Sequence, residues 1–161
     1  MRGSVALALG LTGTLALGAC GAGVAPTAST GSGAGGLPVS IRTLVTIAAE
    51  PRSEPIATGH VMEGSTIGGA PFCAGGTIVD SHGSPDPAVR LIVETITCPE
   101  GTLTLAFTPD ESIGTTQGGS WLIVGGSGAY DGLTGKGDME AVYDADPDAP
   151  THVTFSGIAN R

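Results

Sequence analysis

The chain has 161 residues, a formal net charge of −9 and 28 glycines, but only six aromatic residues. An acidic charge of this size excludes proteins that bind the phosphate backbone of nucleic acids, and it excludes electrostatic adhesion to anionic lipid. The length fits a single domain with one modest core, once the N-terminal segment is set apart.

Residues 1–19 have the pattern of an export signal. Arg2 provides a positive start, residues 5–17 are apolar apart from Gly and Thr, and Gly18 and Ala19 are the small residues that a signal peptidase requires before its cut. The apolar run is too short for a transmembrane span of about 20 residues. The pattern therefore predicts a signal peptide and an exported protein.

Cys20 directly follows this signal. The run Leu17-Gly18-Ala19-Cys20 resembles the lipobox of bacterial lipoproteins. The resemblance implies that signal peptidase II cleaves before Cys20, and that its thiol then carries a lipid anchor with acyl chains such as palmitate. The protein is then expected at the outer face of the cell membrane, with its N-terminal lipid as the link to the bilayer. An ordinary secretory leader with an incidental cysteine is the alternative.

Residues 20–37 are predicted to form a tether. They are almost entirely Gly, Ala, Ser, Thr, Val and Pro, a composition typical of flexible linkers, and 18 such residues have a root-mean-square span of roughly 20–25 Å. Removing the leader takes away one of six basic residues and none of the fifteen acidic ones, which leaves a charge of −10. The folded domain is expected over residues 38–161.

Cys73 and Cys98 are the cysteines that remain in this domain. Two thiols in an exported protein are expected to form a disulfide, since the extracellular side is oxidising. Two buried free thiols are the first alternative. A zinc site is a weaker one, because no second pair of ligands follows at zinc-like spacing.

Apolar residues alternate with polar ones throughout the domain, and this period of two is typical of half-buried strands. Gly and Pro recur too often for a long amphipathic helix. The alternation predicts about eight strands, at residues 39–48, 55–63, 72–80, 89–98, 102–108, 119–125, 137–144 and 151–158. The expected fold is all-β, a small antiparallel eight-stranded barrel, with a β-sandwich as the alternative. A closed barrel is favoured because it leaves no exposed strand edge.

The glycine-rich segment within residues 121–158 resembles the allene oxide cyclase and dirigent barrel superfamily. The resemblance lies in Val124-Gly125-Gly126-Ser127-Gly128-Ala129-Tyr130, in the glycines that follow, and in the later strand from His152 to Ile158. It implies a sharp turn between barrel strands. The spacing of Tyr130 and Leu133 also predicts a single helical turn that closes one barrel end with both side chains facing inward. A dinucleotide-binding loop would need a helix after the glycines, and Gly132 and Gly135 prevent one.

In plant members of that superfamily the barrel interior holds an apolar substrate or steers a coupling reaction, with carboxylates and tyrosines lining the cavity. Glu63 and Glu94 are the acidic residues that we place within the early predicted strands. Together with Tyr130 and Tyr143 they are the candidate interior residues, and a surface position is the alternative for both carboxylates. No catalytic set can be transferred from the resemblance.

Other polar residues offer little chemistry. His60, His82 and His152 are scattered singly, without the pattern of a hydrolase triad. The acidic run Asp144-Ala145-Asp146-Pro147-Asp148 lacks the Gly and Glu that an EF-hand loop requires. We therefore expect no metal site, no cofactor and no nucleic-acid partner.

Three functions follow from these observations. The first is a lipid-anchored, exported barrel that binds a small apolar ligand or an envelope partner without catalysis. The second is an enzyme of the cyclase or isomerase kind that works in the barrel interior. The third is a structural envelope lipoprotein. The sequence carries no signal for the oligomeric state.

Overall fold

The computed structural model describes residues 35–50, 53–86 and 88–161. Cys20, the predicted signal peptide and most of the predicted tether lie outside these residues. The described elements are strands β1 (Leu37–Ile47), β2 (Ala57–Val61), β3 (Thr66–Ile67), β4 (Ala70–Pro71), β5 (Thr77–His82), β6 (Ile92–Cys98), β7 (Gly101–Pro109) and β8 (Thr116–Gly126), a 3₁₀ turn (Gly128–Tyr130), β9 (Thr134–Val142) and β10 (Thr151–Asn160). Within the described residues, no helix has the length and apolar character needed to cross a membrane.

Eight of the ten strands form a closed antiparallel barrel. Each pairs with the next in the order β1, β2, β5, β6, β7, β8, β9 and β10, and β10 pairs with β1 to close the ring. The predicted all-β, eight-stranded barrel is therefore confirmed, and the sandwich alternative is wrong. The short hairpin of β3 and β4 was not predicted, and it pairs with the first half of β1 through Val39 and Ser40.

The alternation seen in the sequence builds the barrel interior. In β1 the side chains of Val39, Ile41, Thr43 and Val45 are buried, and the residues between them are more exposed. Burial of such side chains contributes about 25 cal/mol per Å² of apolar surface. A face that packs inward on every strand therefore stabilises the closed ring.

Aromatic side chains fill the middle of the barrel. The ring of Phe155 contacts Phe107 and Trp121 edge to face, with centroids 5.5 and 6.3 Å apart. The indole N–H of Trp121 donates hydrogen bonds to the carbonyl oxygens of Asp138 and Ser156, at 3.0 and 3.1 Å. The sole tryptophan is thus a satisfied core residue.

One end of the barrel, which we call the closed end, is covered by the loop before β5 and by the 3₁₀ turn. Phe72 is buried there and meets the ring of Tyr130 edge to face at 5.4 Å, and Leu133 is also buried. A disulfide joins Cys73 to Cys98, with Cα atoms 5.6 Å apart. The predicted disulfide is present, although residues 72–76 form a loop rather than the start of a strand.

The glycine-rich turn is fastened to the turn between β6 and β7. The Oγ of Ser127 lies 2.8 Å from Oγ1 of Thr102, and the N–H of Ala129 donates to the carbonyl of Glu100 at 2.8 Å. Gly128 has φ +60°, and a Cβ on it would lie 2.2 Å from the Glu100 carbonyl oxygen. Only glycine fits this position, because the conformation and the space both exclude a side chain.

The opposite end of the barrel, which we call the mouth, is formed where β1, β5, β7 and β9 finish and β2, β6, β8 and β10 begin. The segments that border it include 83–91 between β5 and β6, and 143–150 between β9 and β10. The chain enters β1 at the closed end and runs toward the mouth. The two ends therefore differ in structure, and the candidate site lies at the mouth.

Candidate functional site

Two carboxyl side chains lie inside the barrel on neighbouring strands. Asp80 of β5 and Glu94 of β6 are directly opposite each other in the ladder, with exposed fractions of 6% and 1%. The same row continues to Ala57 of β2 on one side and Leu105 of β7 on the other, and both are buried. The pair therefore sits in an apolar row that provides no charged partner.

Burial changes the protonation of both groups. Loss of water raises the pKa of Asp80 to about 7, and a hydrogen bond with Glu94 opposes that rise. Burial, the neighbouring charge of Asp80 and the same hydrogen bond raise the pKa of Glu94 well above its usual range. Two carboxylates this close cannot both ionise readily. Near neutral pH the pair therefore retains at least one proton, which the two carboxyl groups share.

A cavity of about 860 Å³ opens at the mouth above this pair. Its surface is mostly apolar, although half of the lining residues have polar or charged side chains. The lining residues are Glu54, Ile56, His82, Ser84, Pro85, Asp86, Val89, Arg90, Leu91, Ile92, Pro109 and Gln117. An apolar cavity of this size with a few placed polar groups is typical of small-molecule sites.

The inner end of the cavity is one row away from the carboxyl pair. Side chains two residues apart on a strand share a face, so His82 and Ile92 point the same way as Asp80 and Glu94. His82 and Ile92 are themselves paired across the two strands, and both line the cavity. We call the paired residues His82 and Ile92 the cavity floor. Two strand residues span about 6.6–6.8 Å, which is the distance along the strands from the cavity floor to the carboxyl pair.

A polar contact joins the cavity to a second cleft at the mouth. The hydroxyl of Tyr143 donates to Oε1 of Gln117 at 2.5 Å, and Nε2 of Gln117 donates to the Asp110 carbonyl at 2.7 Å. Burial raises the pKa of Tyr143, so its hydroxyl remains a donor at neutral pH. The Gln117 amide is held by both of these bonds and has a fixed orientation in the cavity wall.

The four candidates named from the sequence lie in different parts of the molecule. Glu94 faces the barrel interior. Glu63 is exposed in the turn between β2 and β3, because β2 ends at Val61, and it does not reach the interior. Tyr130 is half-buried at the closed end, and Tyr143 lies at the mouth. The structure therefore does not bring the four together.

Asp80 is the functional candidate that sequence reasoning missed. It is the last residue of the predicted strand 72–80, and it was not named among the interior candidates. The signal that could have identified it is the alternation Ile78, Asp80, His82, which places Asp80 on the same face as a buried isoleucine. The pairing with Glu94 depends on the ladder register and is not visible in the sequence.

The acidic run in the loop before β10 binds its own backbone. The carboxylates of Asp144 and Asp146 accept hydrogen bonds from the N–H groups of Asp146 and Asp148, each at 3.0 Å. Across the described residues, no group of three or more His, Cys, Asp or Glu side chains stands close enough together to hold a metal ion. His60, His82 and His152 are all exposed.

No known protein family, curated protein or solved structure matches this chain. The carboxyl pair and the mouth cavity are therefore the features from which a function can be argued.

Proposed function

We propose that this protein is a lipid-anchored, exported barrel that binds a small apolar molecule in its mouth cavity without catalysis. The observation that carries the proposal is the cavity itself, about 860 Å³ with mostly apolar walls at the open end of a closed barrel. Binding pockets for small molecules have volumes of about 300–1,000 Å³ and are lined mainly by apolar side chains.

The sequence supports the export and anchoring part of the proposal. The lipobox resemblance at residues 17–20 favours a lipid on Cys20 and a position at the outer face of the cell membrane. The tether would join β1 at Leu37, which belongs to the closed end because it pairs with Ala159 near the end of β10. The mouth cavity lies at the other end of β1, away from the point where the tether would join the barrel.

An enzyme of the cyclase or isomerase kind is the second candidate. The resemblance to the allene oxide cyclase and dirigent superfamily favours it, as does the Asp80–Glu94 pair, because a carboxyl group with a pKa near neutrality can take up and return a proton. The pair lies one row below the cavity floor, which is the reason for ranking binding first. A structural lipoprotein, or one that binds an envelope protein, gains no support from the described residues.

Two valines provide a matched test of the proposed site. Val89 lines the cavity and Val124 lies on the outer wall of β8, with exposed fractions of 49% and 51%. Binding of a neutral solvatochromic dye should weaken at least about tenfold, or 1.4 kcal/mol, in Val89→Asp. The reason is that a charged carboxylate disfavours contact with an apolar ligand. Fluorescence titration measures both variants against the wild-type chain.

Val124→Asp should bind the dye with the wild-type affinity, since its side chain is outside the cavity. Both variants should also melt close to the wild-type temperature, because both positions are half-exposed. Equal loss of dye binding in the two variants, or no dye binding by the wild type, would contradict the proposal.

A further inference from the structure

Two buried carboxyl oxygens have an unmet capacity for hydrogen bonds. Oδ1 of Asp80 and Oε1 of Glu94 are inaccessible to solvent, and neither has a hydrogen-bond partner among residues 35–50, 53–86 and 88–161. Such groups cost about 1–3 kcal/mol each when left unsatisfied, and more when they are charged. Buried polar atoms in proteins almost always have a partner, so these two require an explanation.

The surroundings of the pair do not supply a counter-charge. Its neighbours in the row are Ala57 and Leu105, and the next row toward the closed end pairs Ile78 with Ile96. The two carboxyls can share one proton, and loss of the other proton near neutral pH places one negative charge inside the barrel. A buried charge without a partner is strongly disfavoured.

A ligand group that satisfies the two carboxyl oxygens would reach them from the mouth of the barrel. On that side the next row is His82 and Ile92, the pair that lines the cavity floor. His82 is exposed and Ile92 is half-buried, so both side chains have space to move aside. The cavity rim also contains Glu54 and Asp86 beside Arg90, and the whole chain is strongly acidic. This field attracts cations toward the cavity.

We infer that the ligand of the mouth cavity is a small amphiphilic amine, whose ammonium head passes between His82 and Ile92 to reach Asp80 and Glu94. This inference rests on the proposed function and narrows its ligand class. The apolar body of the ligand would occupy the cavity next to Val89 and Leu91.

An ammonium group complements the unpaired oxygens and the charge of this site better than a hydroxyl or a carboxylate head group does. It provides three donors and one positive charge, so it can fill both unmet carboxyl oxygens and neutralise Asp80 at once. A hydroxyl provides one donor and no charge. A carboxylate head would place a second negative charge beside Asp80, and should be rejected.

Three six-carbon ligands separate these possibilities: hexylamine, hexanol and hexanoate. We would measure their affinities for the purified full chain by calorimetry near pH 7, with a blank for uptake by any solubilising lipid or detergent. Hexylamine should bind at least about tenfold more tightly than hexanol, which is 1.4 kcal/mol, and hexanoate should bind most weakly.

The double variant D80N/E94Q removes the charge while it keeps the shape of both side chains. The amine-to-alcohol affinity ratio should fall to near one in this variant. The matched control is D138N/E140Q, since Asp138 and Glu140 are exposed on β9 and the same two residue types are neutralised. The control should keep the wild-type ratio, which separates a local contact from a change in overall charge.

The possible results distinguish an amine-specific site from the apolar binding site on which it rests. If hexanol binds in the cavity but hexylamine binds no tighter, or if D80N/E94Q keeps the amine preference, the inference is overturned and the apolar site stands. If none of the three ligands binds, the proposed function falls and the inference falls with it.

A measurement on the wild-type chain keeps the test decisive if D80N/E94Q does not fold. The ¹³C-carboxyl NMR signals of Asp80 and Glu94 should shift on saturation with hexylamine but not with hexanol, while those of Asp138 and Glu140 remain in place. Signals of the buried pair that do not respond to hexylamine would overturn the inference.

Discussion

Asp80 and Glu94 show how one residue pair can reverse the usual effect of pH on a protein. Most carboxylates in folded proteins have a lowered pKa and stabilise the fold as pH rises. Here burial raises the pKa of both side chains, so the folded state prefers their protonated forms. The ladder register places the two acids opposite each other without a basic neighbour in the row.

The sign of the resulting pH dependence follows from this shift. The pKa of Asp80 rises from 3.8 to about 7 on folding, so between these pH values the folded chain holds more protons than the unfolded chain. The free energy of unfolding should therefore fall as pH rises from about 4 to 7, and Glu94 extends the fall above that range. Urea denaturation of the wild type at several pH values measures this fall.

The variant D80N/E94Q should lack this contribution. Its stability relative to the wild type should increase between pH 4 and pH 8 by at least about 3–4 kcal/mol, the contribution of Asp80 alone, because a neutral amide pair does not respond to pH. Glu94 adds to this increase. The control D138N/E140Q neutralises two exposed acids and should run parallel to the wild type apart from weak surface effects. Parallel pH profiles for wild type and D80N/E94Q would show that the pair ionises freely in the folded state.

At the scale of elements, the turn between β8 and β9 is the most constrained segment at the closed end. Gly128→Val should destabilise the fold by at least about 1–3 kcal/mol, because a β-branched residue is strained at positive φ. The new side chain would also meet the Glu100 carbonyl. Thermal unfolding of the full chain, with the Cys73–Cys98 disulfide intact, measures the loss.

Gly125→Val is the matched control for this change. Gly125 lies three residues earlier, in β8, where a Cβ would come no closer than 3.8 Å to Thr104. The Gly125→Val variant should melt near the wild-type temperature, since valine favours strands. Equal melting temperatures for Gly125→Val and Gly128→Val would mean that the turn is a loose surface loop.

The strands could be predicted from the sequence because their alternation is local. Leu103, Leu105 and Phe107 share one face whatever their partners are, and the structure buries all three. The hairpin of β3 and β4 could not be predicted, because two-residue strands have no period to detect. Only one member of the carboxyl pair could be predicted from the sequence. Glu94 lies in a predicted strand and was named as an interior candidate, but the register that places Asp80 opposite it depends on contacts across the sheet.

The whole molecule is a barrel with two different ends. Phe72, Tyr130 and Leu133 fill the closed end, and the disulfide fastens the loop that carries Phe72. The mouth has the cavity and one further cleft, which is lined by residues that include Tyr143 and Asp146. The closed end is therefore packed and cross-linked, and the candidate site lies at the mouth.

The proposed lipid anchor has a direct test. Cys20→Ser should block lipid attachment, because serine lacks the thiol that accepts the diacylglyceryl group. The protein should then shift from the membrane fraction to soluble or unprocessed fractions, and lose its partition into detergent. If Cys20→Ser and the wild-type protein partition identically, the N-terminal segment is not a lipoprotein signal.

The central claim is that a small apolar molecule occupies the mouth cavity. The most direct measurement is an NMR experiment on the methyl-labelled full chain with a neutral apolar ligand, which detects protein methyl groups within about 5 Å of ligand protons. If the ligand occupies the mouth cavity, nuclear Overhauser effects should connect it to the methyl groups of Val89, Leu91 and Ile92, and none should connect it to Val124 on the outer wall. Contacts confined to the outer wall, or no contacts at ligand saturation, would contradict it.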